Sequence, residues 1–208
     1  MEKIIRWRPF IKPLILAAVV VFSYFIIISC GKGKNNQNDS DFFSFDKSKL
    51  GIEVVDQELG IKFNPPISWE LRQTSISKKI ESRDASNPND HFVYEPTYVF
   101  FDNSTGGLLS VGKVVTNDTT LAKSSRLNYY KGLISTKNKN DKFTGGNFIH
   151  SKIYFSQFIL KKQNLISFKL VFENTAGQII QFDYTIPAGY LETAQPVIKS
   201  SIGSIRPQ

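Results

Sequence analysis

The pattern of apolar and polar positions divides the chain into one apolar run, a short polar stretch and a long region of alternating runs. The apolar run covers residues 14–28, and residues 31–40 contain no apolar side chain. From about residue 42, apolar residues recur mostly with a period of two, which is typical of half-buried β-strands. This pattern predicts a single folded domain over residues 42–208, preceded by a flexible tether over residues 30–41.

The start of the domain carries strand signals. Two short alternating runs at residues 52–55 and 59–63 predict a hairpin. Pro65 and Pro66 should end its ladder, because proline has no N–H to donate. Residues 73–90 are polar and irregular, and they predict at most a short helical turn.

The middle of the domain predicts two strands followed by a helix. Residues 97–101 and 108–115 have the strand pattern and are separated by turn residues. Asp118 or Thr119 is a suitable N-cap for a helix that continues to about Thr136. The buried stripe of this helix is expected to consist of Leu127, Tyr130 and Ile134.

Three strands without an intervening helix are predicted next, joined by turns at residues 162–164 and 175–177. They should form an antiparallel meander with one buried face. A helix over about residues 189–201 is expected to cover that face, and Ile205 should continue into a short last strand. The apolar positions that define these four elements are Ile149, Ile153, Phe155 and Ile159; Ile166, Phe168, Leu170 and Phe172; Ile180, Phe182, Tyr184 and Ile186; and Leu191, Ala194, Ile198 and Ile202.

The order of these elements resembles that of the PsbP-like/Mog superfamily over residues 52–206. Two short segments add to the resemblance: Pro65-Pro66-Ile67-Ser68-Trp69 looks like the family's Pro-x-x-Trp/Tyr corner, and Ser201-Ile202-Gly203-Ser204-Ile205 looks like its final helix-to-strand step. The resemblance implies an α+β fold with a central antiparallel sheet flanked by helices, an α/β/α sandwich. It also implies a binding or assembly role instead of catalysis. No ligand residue of the family can be matched here.

The first thirty residues resemble a bacterial lipoprotein signal. Four basic residues precede the fifteen-residue apolar run, which is short for a bilayer span, since a helix needs roughly 20 apolar residues to cross the hydrocarbon core. Ile27-Ile28-Ser29-Cys30 matches the lipobox pattern, in which the cysteine thiol is acylated before cleavage. We therefore predict a signal peptide over residues 1–29 and a diacylglyceryl group with palmitate-type chains on Cys30.

The alternative for this segment is an uncleaved N-terminal anchor with Cys30 as an incidental thiol, because flanking basic side chains can help a short helix to span. Both interpretations place the domain outside the cytoplasm and attached to a membrane. Gly31 differs from the aspartate that retains some lipoproteins at the inner membrane, so transfer to an outer membrane is expected if the cell has one.

Cysteine content and charge narrow the function classes. Cys30 is the only cysteine, so the remaining chain can form no internal disulfide and no cysteine-based active site. The net charge is +8, of which +3 belongs to residues 1–29 and +5 to the rest. The lysines are scattered through polar loops without an arginine-rich or aromatic stripe, so no nucleic-acid partner is expected. A basic surface of this kind suits anionic headgroups or cell-wall polymer.

Two loop motifs resemble ligand sites and are interpreted as structural. Gly107 to Lys113 matches G-x-x-x-x-G-K, but Val114 stands where a phosphate loop has Ser or Thr, and the segment has a strand pattern. Asp102 to Gly107 could suggest a calcium loop, but Lys113 occupies the position of the bidentate glutamate. A hairpin turn is predicted there instead.

No catalytic, cofactor-binding or metal-binding residues are predicted. His91 should be an exposed loop residue, and His150 should lie in a strand on the face opposite to Ile149 and Ile153. A carboxylate cluster near the first hairpin has no evident pocket that would raise a pKa for acid catalysis. It comprises Glu53, Asp56 and Glu58. Rings that could line a glycan or peptide groove are Trp69, Tyr94, Tyr98, Tyr129, Tyr130, Tyr154 and Tyr190.

Three functions follow in order of preference. The first is a non-enzymatic, lipid-anchored domain that binds a protein partner or helps to assemble an envelope complex. The second is a lipoprotein that binds a glycan or small molecule, which a concave pocket with two or more of the Tyr/Trp rings would favour. The third is an Asp/Glu-dependent hydrolase, which two facing carboxylates in a deep cleft would favour.

Overall fold

A computed structural model describes residues 45–72, 91–116, 118–138 and 142–208. The predicted signal peptide, Cys30, the tether and residues 73–90 lie outside these described residues. Neither helix within the described ranges is long and apolar enough to cross a membrane. The elements are β1 (Val54–Asp56), β2 (Ile61–Phe63), β3 (Glu70–Arg72), β4 (Phe92–Phe101), β5 (Leu108–Thr116), α1 (Lys123–Lys137), β6 (Lys142–His150), β7 (Ile153–Lys162), β8 (Leu165–Glu173), β9 (Ile179–Pro187), α2 (Leu191–Gly203) and β10 (Arg206–Pro207).

Two antiparallel sheets organise the domain. The large sheet has seven strands in the order β3-β4-β5-β9-β8-β7-β6, and the small sheet has the order β1-β2-β10. The first hairpin is therefore present, with Val54 opposite Phe63. The predicted α+β class, a central antiparallel sheet flanked by helices, is confirmed.

One face of the large sheet is covered by α2 and by the small sheet. The residues of β8 and β9 that share parity, among them Phe168 and Phe182, form one buried cluster with Ile198 and Ile202 of α2. Phe63 of β2 joins this cluster, with its ring centroid 5.1 Å from that of Phe182 in an edge-to-face arrangement. The predicted packing of the last helix on the meander is thus observed.

The opposite face of the sheet is covered by α1. Ile134 is buried there in a second cluster that includes Phe92, Phe158 and Val171, and Leu127 and Tyr130 pack against it. The stripe of this helix is as predicted, but the expectation of a single buried face was wrong, since helices cover both faces. The helix also begins later than expected, because Asp118 accepts hydrogen bonds from Thr120 in a separate turn.

The segment before β8 forms two strands and not one. Ile149 and Ile153 share parity in the sequence, but β6 and β7 are joined by a two-residue loop. Both loop residues, Ser151 and Lys152, have positive φ, as type I′ hairpin turns require. As a result Ile149 lies opposite Tyr154 and is 60% exposed, not buried as predicted.

Trp69 packs the corner between β2 and β3 against the large sheet. Ser68 has a φ of 67°, and the Trp69 N–H donates to the carbonyl of Pro66 (3.2 Å). The indole is buried with its centroid 6.5 Å from the Tyr184 ring. A Cβ on Gly107 would lie 2.8 Å from the indole Cζ2, so this glycine is required by packing.

Candidate functional site

An open groove of about 530 Å³ lies beside the small sheet. Its walls come from the start of the described domain, from the chain after β2 and from β10. The lining residues are Phe45, Lys47, Leu50, Gly51, Glu53, Asn64 and Arg206.

Backbone hydrogen bonds shape the groove. The Gly51 N–H donates to the Pro65 carbonyl (2.8 Å), and the Asn64 side chain donates to the Gly51 carbonyl (3.0 Å). Leu50 forms an isolated bridge with Pro66, in which the second hydrogen bond runs from the Ile67 N–H to the Lys49 carbonyl (2.9 Å), so neither proline has to donate an N–H. These bonds join residues 49–51 to residues 64–67 and so fix the shape of the groove.

The charges of the groove largely neutralise one another. Arg206 forms an ion pair with Glu53 and donates a second hydrogen bond to the Ser204 carbonyl (3.1 Å). At the nearby 3-10 turn, hydrogen bonds from Lys49 and then Ser48 lower the pKa of Asp46 to about 2. Asp46 is thus held ionised, and Glu53 is paired with Arg206.

Apolar side chains are exposed around this groove. On the outer face of the small sheet, Val55 lies opposite Lys62, which in turn lies opposite Arg206. Ile52 follows Gly51 and is 89% exposed, and Phe45 and Val55 are each close to half exposed. We call exposed Phe45, Ile52 and Val55, together with half-buried Leu50, the groove patch. Exposed apolar residues gathered around a groove are typical of interaction surfaces.

The carboxylates that cluster in sequence are separated in the structure. Glu53 pairs with Arg206, and Glu58 pairs with Lys113 (2.8 Å). Asp56 is buried and accepts hydrogen bonds from the Leu59 N–H (2.7 Å) and the Tyr98 hydroxyl (2.8 Å). Burial, followed by the hydrogen bond to Asp56, raises the pKa of Tyr98 to about 12. These groups stabilise the fold and do not converge on a reaction centre.

Asp102 shapes the hairpin turn between β4 and β5, as predicted for this segment. Its carboxylate accepts hydrogen bonds from Ser104 (2.7 Å) and Thr105 (2.6 Å). Burial alone would raise the pKa of Asp102, but these hydrogen bonds outweigh it and lower the pKa. Gly107 immediately precedes β5 and Lys113 lies within it, so the segment whose sequence matches a phosphate loop is a strand.

The two histidines lie apart. The His91 Nδ1 is 3.5 Å from Asp118, and the His150 Nε2 is 2.8 Å from the Gly203 carbonyl at the end of α2. His150 lies opposite Ile153 across the hairpin and shares its face, so the predicted separation from Ile153 was wrong and the separation from Ile149 is confirmed. Within the described part of the chain, no three His, Cys, Asp or Glu residues are placed to hold a metal ion.

The aromatic candidates do not gather around the groove. Trp69 and Tyr94 are buried, whereas Tyr98 and Tyr130 are half-buried against the two core clusters. The three exposed rings belong to three different elements. They are Tyr129 in α1, Tyr154 in β7 and Tyr190 in the 3-10 turn before α2.

A polar array on the α1 face of the sheet was not anticipated from sequence. Lys169 and Asp183 pair at 3.0 Å, and the Ser167 hydroxyl donates to the same carboxylate (2.5 Å). The neighbouring Gln181 is fully buried and accepts a hydrogen bond from Tyr130 (2.6 Å). The sequence did contain a signal for this array, because polar residues alternate with apolar ones along β8 and β9. These polar residues are Ser167, Lys169, Gln181 and Asp183.

Two of the solved structures that resemble this chain illustrate the structural likeness. The chain is similar to the solution structure of cyanobacterial PsbP (CyanoP) from Synechocystis sp. PCC 6803, with 11% identity and a TM-score of 0.46 over 77% of this chain and 94% of that chain. It is also similar to the crystal structure of PA94 from Pseudomonas aeruginosa, described as a protein of unknown function and putative regulator, with 8% identity and a TM-score of 0.38 over 76% and 96% of the two chains. No family model and no curated protein matches the chain.

Proposed function

We propose that this chain is a lipid-anchored, extracytoplasmic domain of PsbP-like fold that binds a protein partner and helps to assemble a complex in the cell envelope. The groove patch is the observation on which the binding role rests. An anchored domain with a flexible tether can search the membrane surface for such a partner. The role requires no chemistry from the domain itself.

The groove patch suits a protein surface. Its apolar side chains are exposed beside an arginine whose charge is already paired, and protein interfaces combine apolar cores with arginine and satisfied polar groups. Covering Ile52 and its neighbours would remove apolar surface from water. The hydrophobic free energy gained is about 25 cal/mol per Å² of surface covered. This gain is available to any partner of complementary shape.

The other two functions find less support in this groove. Its lining contains one ring, Phe45, and none of the Tyr/Trp candidates, whereas glycan sites stack sugars on such rings. The groove lining contains one carboxylate, Glu53, which is paired with Arg206. Hydrolysis of a glycosidic bond uses two carboxyl groups, of which the general acid has a raised pKa. The shifted carboxyl pKa values of Asp46, Asp102 and Asp118 are all lowered, the opposite of what a general acid needs.

Cross-linking in cells tests the binding role. A photoactivatable residue at Ile52 of the full-length protein should form a cross-link to one defined protein, whereas the same residue at exposed Asn128 of α1, beyond the opposite face of the large sheet, should not. Val55→Asp should abolish the Ile52 cross-link, because a carboxylate would be forced into an apolar contact. Exposed Thr193 offers the matched control, and Thr193→Asp should leave the cross-link intact. Cross-links to lipid or glycan alone, or equal cross-linking from Asn128, would contradict the proposal.

Cys30→Ala tests the anchor. Without the thiol no acyl chain can be attached, so labelled palmitate should no longer be incorporated and the precursor should accumulate or leave the membrane fraction. Wild-type protein labelled in the same culture is the control. Unchanged labelling of the Ala variant would rule out acylation at Cys30, and unlabelled wild-type protein that stays in the membrane would favour the uncleaved anchor.

A further inference from the structure

The two edges of the large sheet differ in how well they are protected against pairing with a further strand. β3 has three residues and presents Glu70 and Arg72, features that discourage further pairing. The other edge is β6, which has nine residues, no proline and an uninterrupted register with β7. Most of its residues are exposed, and no other strand of the described ranges pairs with its outer side. This edge resembles a template for an added strand.

The hairpin geometry decides which backbone groups are free. In a two-residue hairpin the residues flanking the loop form a hydrogen-bonded pair, and such pairs then alternate along the ladder. His150 and Ile153 flank this loop, so the even-numbered residues of β6 bond to β7. The N–H and C=O groups of Phe143, Gly145, Asn147 and Ile149 therefore point outward. No backbone hydrogen bond joins these four residues to another element of the described chain.

Two glycines lie in the middle of this edge. Glycine inside a strand weakens it and marks a bulge, a bend or the close approach of another backbone. The register of β6 with β7 contains no bulge, and a Cβ on Gly146 would meet nothing within 4 Å. A Cβ on Gly145 would make only ordinary contacts, 3.7 Å from the rings of Phe143 and Phe158. Packing inside the described domain therefore requires glycine at neither position, which leaves the close approach of another backbone as the use for them.

Lysine is the only charged residue type in β6, β7 and the loop between them. Residues 142–162 contain four lysines and no aspartate or glutamate, and Asp141 directly precedes them. Lys142 lies directly opposite Lys161, an arrangement that destabilises a sheet unless an anion relieves it. Neither lysine forms an ion pair with an acidic residue of the described ranges. A second copy of the chain would bring the same lysines against this edge, so self-pairing is disfavoured.

We infer that β6 accepts an extended, acidic segment of a partner protein as an eighth strand of the large sheet. The backbone of the segment would bond to the four outward-facing residues, and its carboxylates would lie beside Lys142 and Lys161. This mode of recognition is β-strand addition. An anionic membrane could neutralise the lysines, but lipid headgroups do not provide donors and acceptors with the spacing of a strand. β6 is a surface separate from the groove patch, so this strand-binding site goes beyond the proposed function.

Synthetic peptides provide the probe. We compare a nonapeptide of alternating valine and glutamate with one of alternating valine and lysine, added to the full-length chain in detergent micelles. Hydrogen exchange is followed at single amides by NMR. The acidic peptide should slow exchange at Phe143, Gly145, Asn147 and Ile149 by about tenfold or more at saturation, and added salt should weaken the effect. The basic peptide should have no effect.

Three variants sharpen the test. Gly145→Pro removes one outward N–H without removing a bond to β7, and it should abolish protection by the acidic peptide. Gly146→Ala is the matched control, since its N–H faces β7 and its Cβ has free space, and it should bind normally. The double variant Lys142→Glu/Lys161→Glu keeps every backbone group, and it should reverse the preference toward the basic peptide. This double variant keeps the test valid if Gly145→Pro fails to fold.

Other outcomes would overturn the inference. They are protection by neither peptide, protection of the same amides by phosphatidylglycerol vesicles alone, and a dimer of the peptide-free chain that Gly145→Pro dissociates. The experiment requires neither acylation of Cys30 nor the groove patch. A negative peptide result with an intact Ile52 cross-link would therefore reject the edge alone, and the reverse pair of results would reject the proposed function alone.

Discussion

Gly112→Ala is expected to destabilise the domain severely. Gly112 lies in β5, a central strand that pairs with β4 on one side and β9 on the other. The register of β4 shifts between Pro96 and Tyr98, and this shift brings the β4 backbone close to Gly112. A Cβ would lie 2.7 Å from the Pro96 Cα and would collide with the Glu95 carbonyl. These are backbone atoms, so no side-chain rotation can relieve the overlap.

The cost of this substitution should exceed about 3 kcal/mol, since overpacking against fixed backbone lies at the upper end of measured effects. Gly132→Ala in α1 is the control, because a Cβ there meets nothing within 4 Å. Alanine in an open helical position should raise stability by about 0.4–1 kcal/mol. Urea unfolding of both variants measures the difference. Equal midpoints would show that β4 does not approach β5 as closely as described.

The collision at Gly112 also shows what a local sequence pattern can and cannot predict. The period of two correctly placed β5, and the absence of Ser or Thr after Lys113 correctly argued against a phosphate loop. Nothing in the sequence, however, predicts that β4 shifts its register opposite Gly112. A close approach between two strands is a property of their pairing, which a single-strand pattern does not contain.

Turn chemistry explains the main error in the strand assignment. The turns at residues 162–164 and 175–177 contain Asn or Gly, which favour positive φ, and both were predicted. Ser151 and Lys152 adopt positive φ without such a residue. Their turn was therefore missed, so Ile149 was assigned to the same strand as Ile153 and the rest of β6 was not predicted. The edge strand that carries the further inference was absent from the prediction for this reason.

The candidate site could not be predicted from sequence spacing. Glu53 and Arg206 are 153 residues apart in the chain and meet because β2 pairs with both β1 and β10. The carboxylates of Glu53, Asp56 and Glu58 are close in sequence but lie apart in the structure, because they project from different positions around the same hairpin. By contrast, Ile198 was placed correctly, since helical periodicity alone decides which side of an amphipathic helix is buried.

Ile198→Ala is expected to lower the free energy of unfolding by about 2–5 kcal/mol. Ile198 is 1% exposed and belongs to the cluster that contains Phe168 and Phe182, so truncation removes packed methyl groups and leaves a cavity. Since typical domains are stable by about 5–15 kcal/mol, this is a large share of the total. Ile198→Asp should be more severe still, because the carboxylate would enter an apolar cluster.

Thr193 provides the matched control on the same helix, because it is exposed and Thr193→Ala removes no buried contact. Its effect should stay below about 0.5 kcal/mol. Denaturant unfolding of the two alanine variants gives the comparison, with the slope of the transition as a check that both unfold from the same compact state. If both variants unfolded at the same denaturant concentration, α2 would not be packed on the meander. The layer that α2 forms with the small sheet, and with it the position of Arg206 in the groove, would then have to be reassigned.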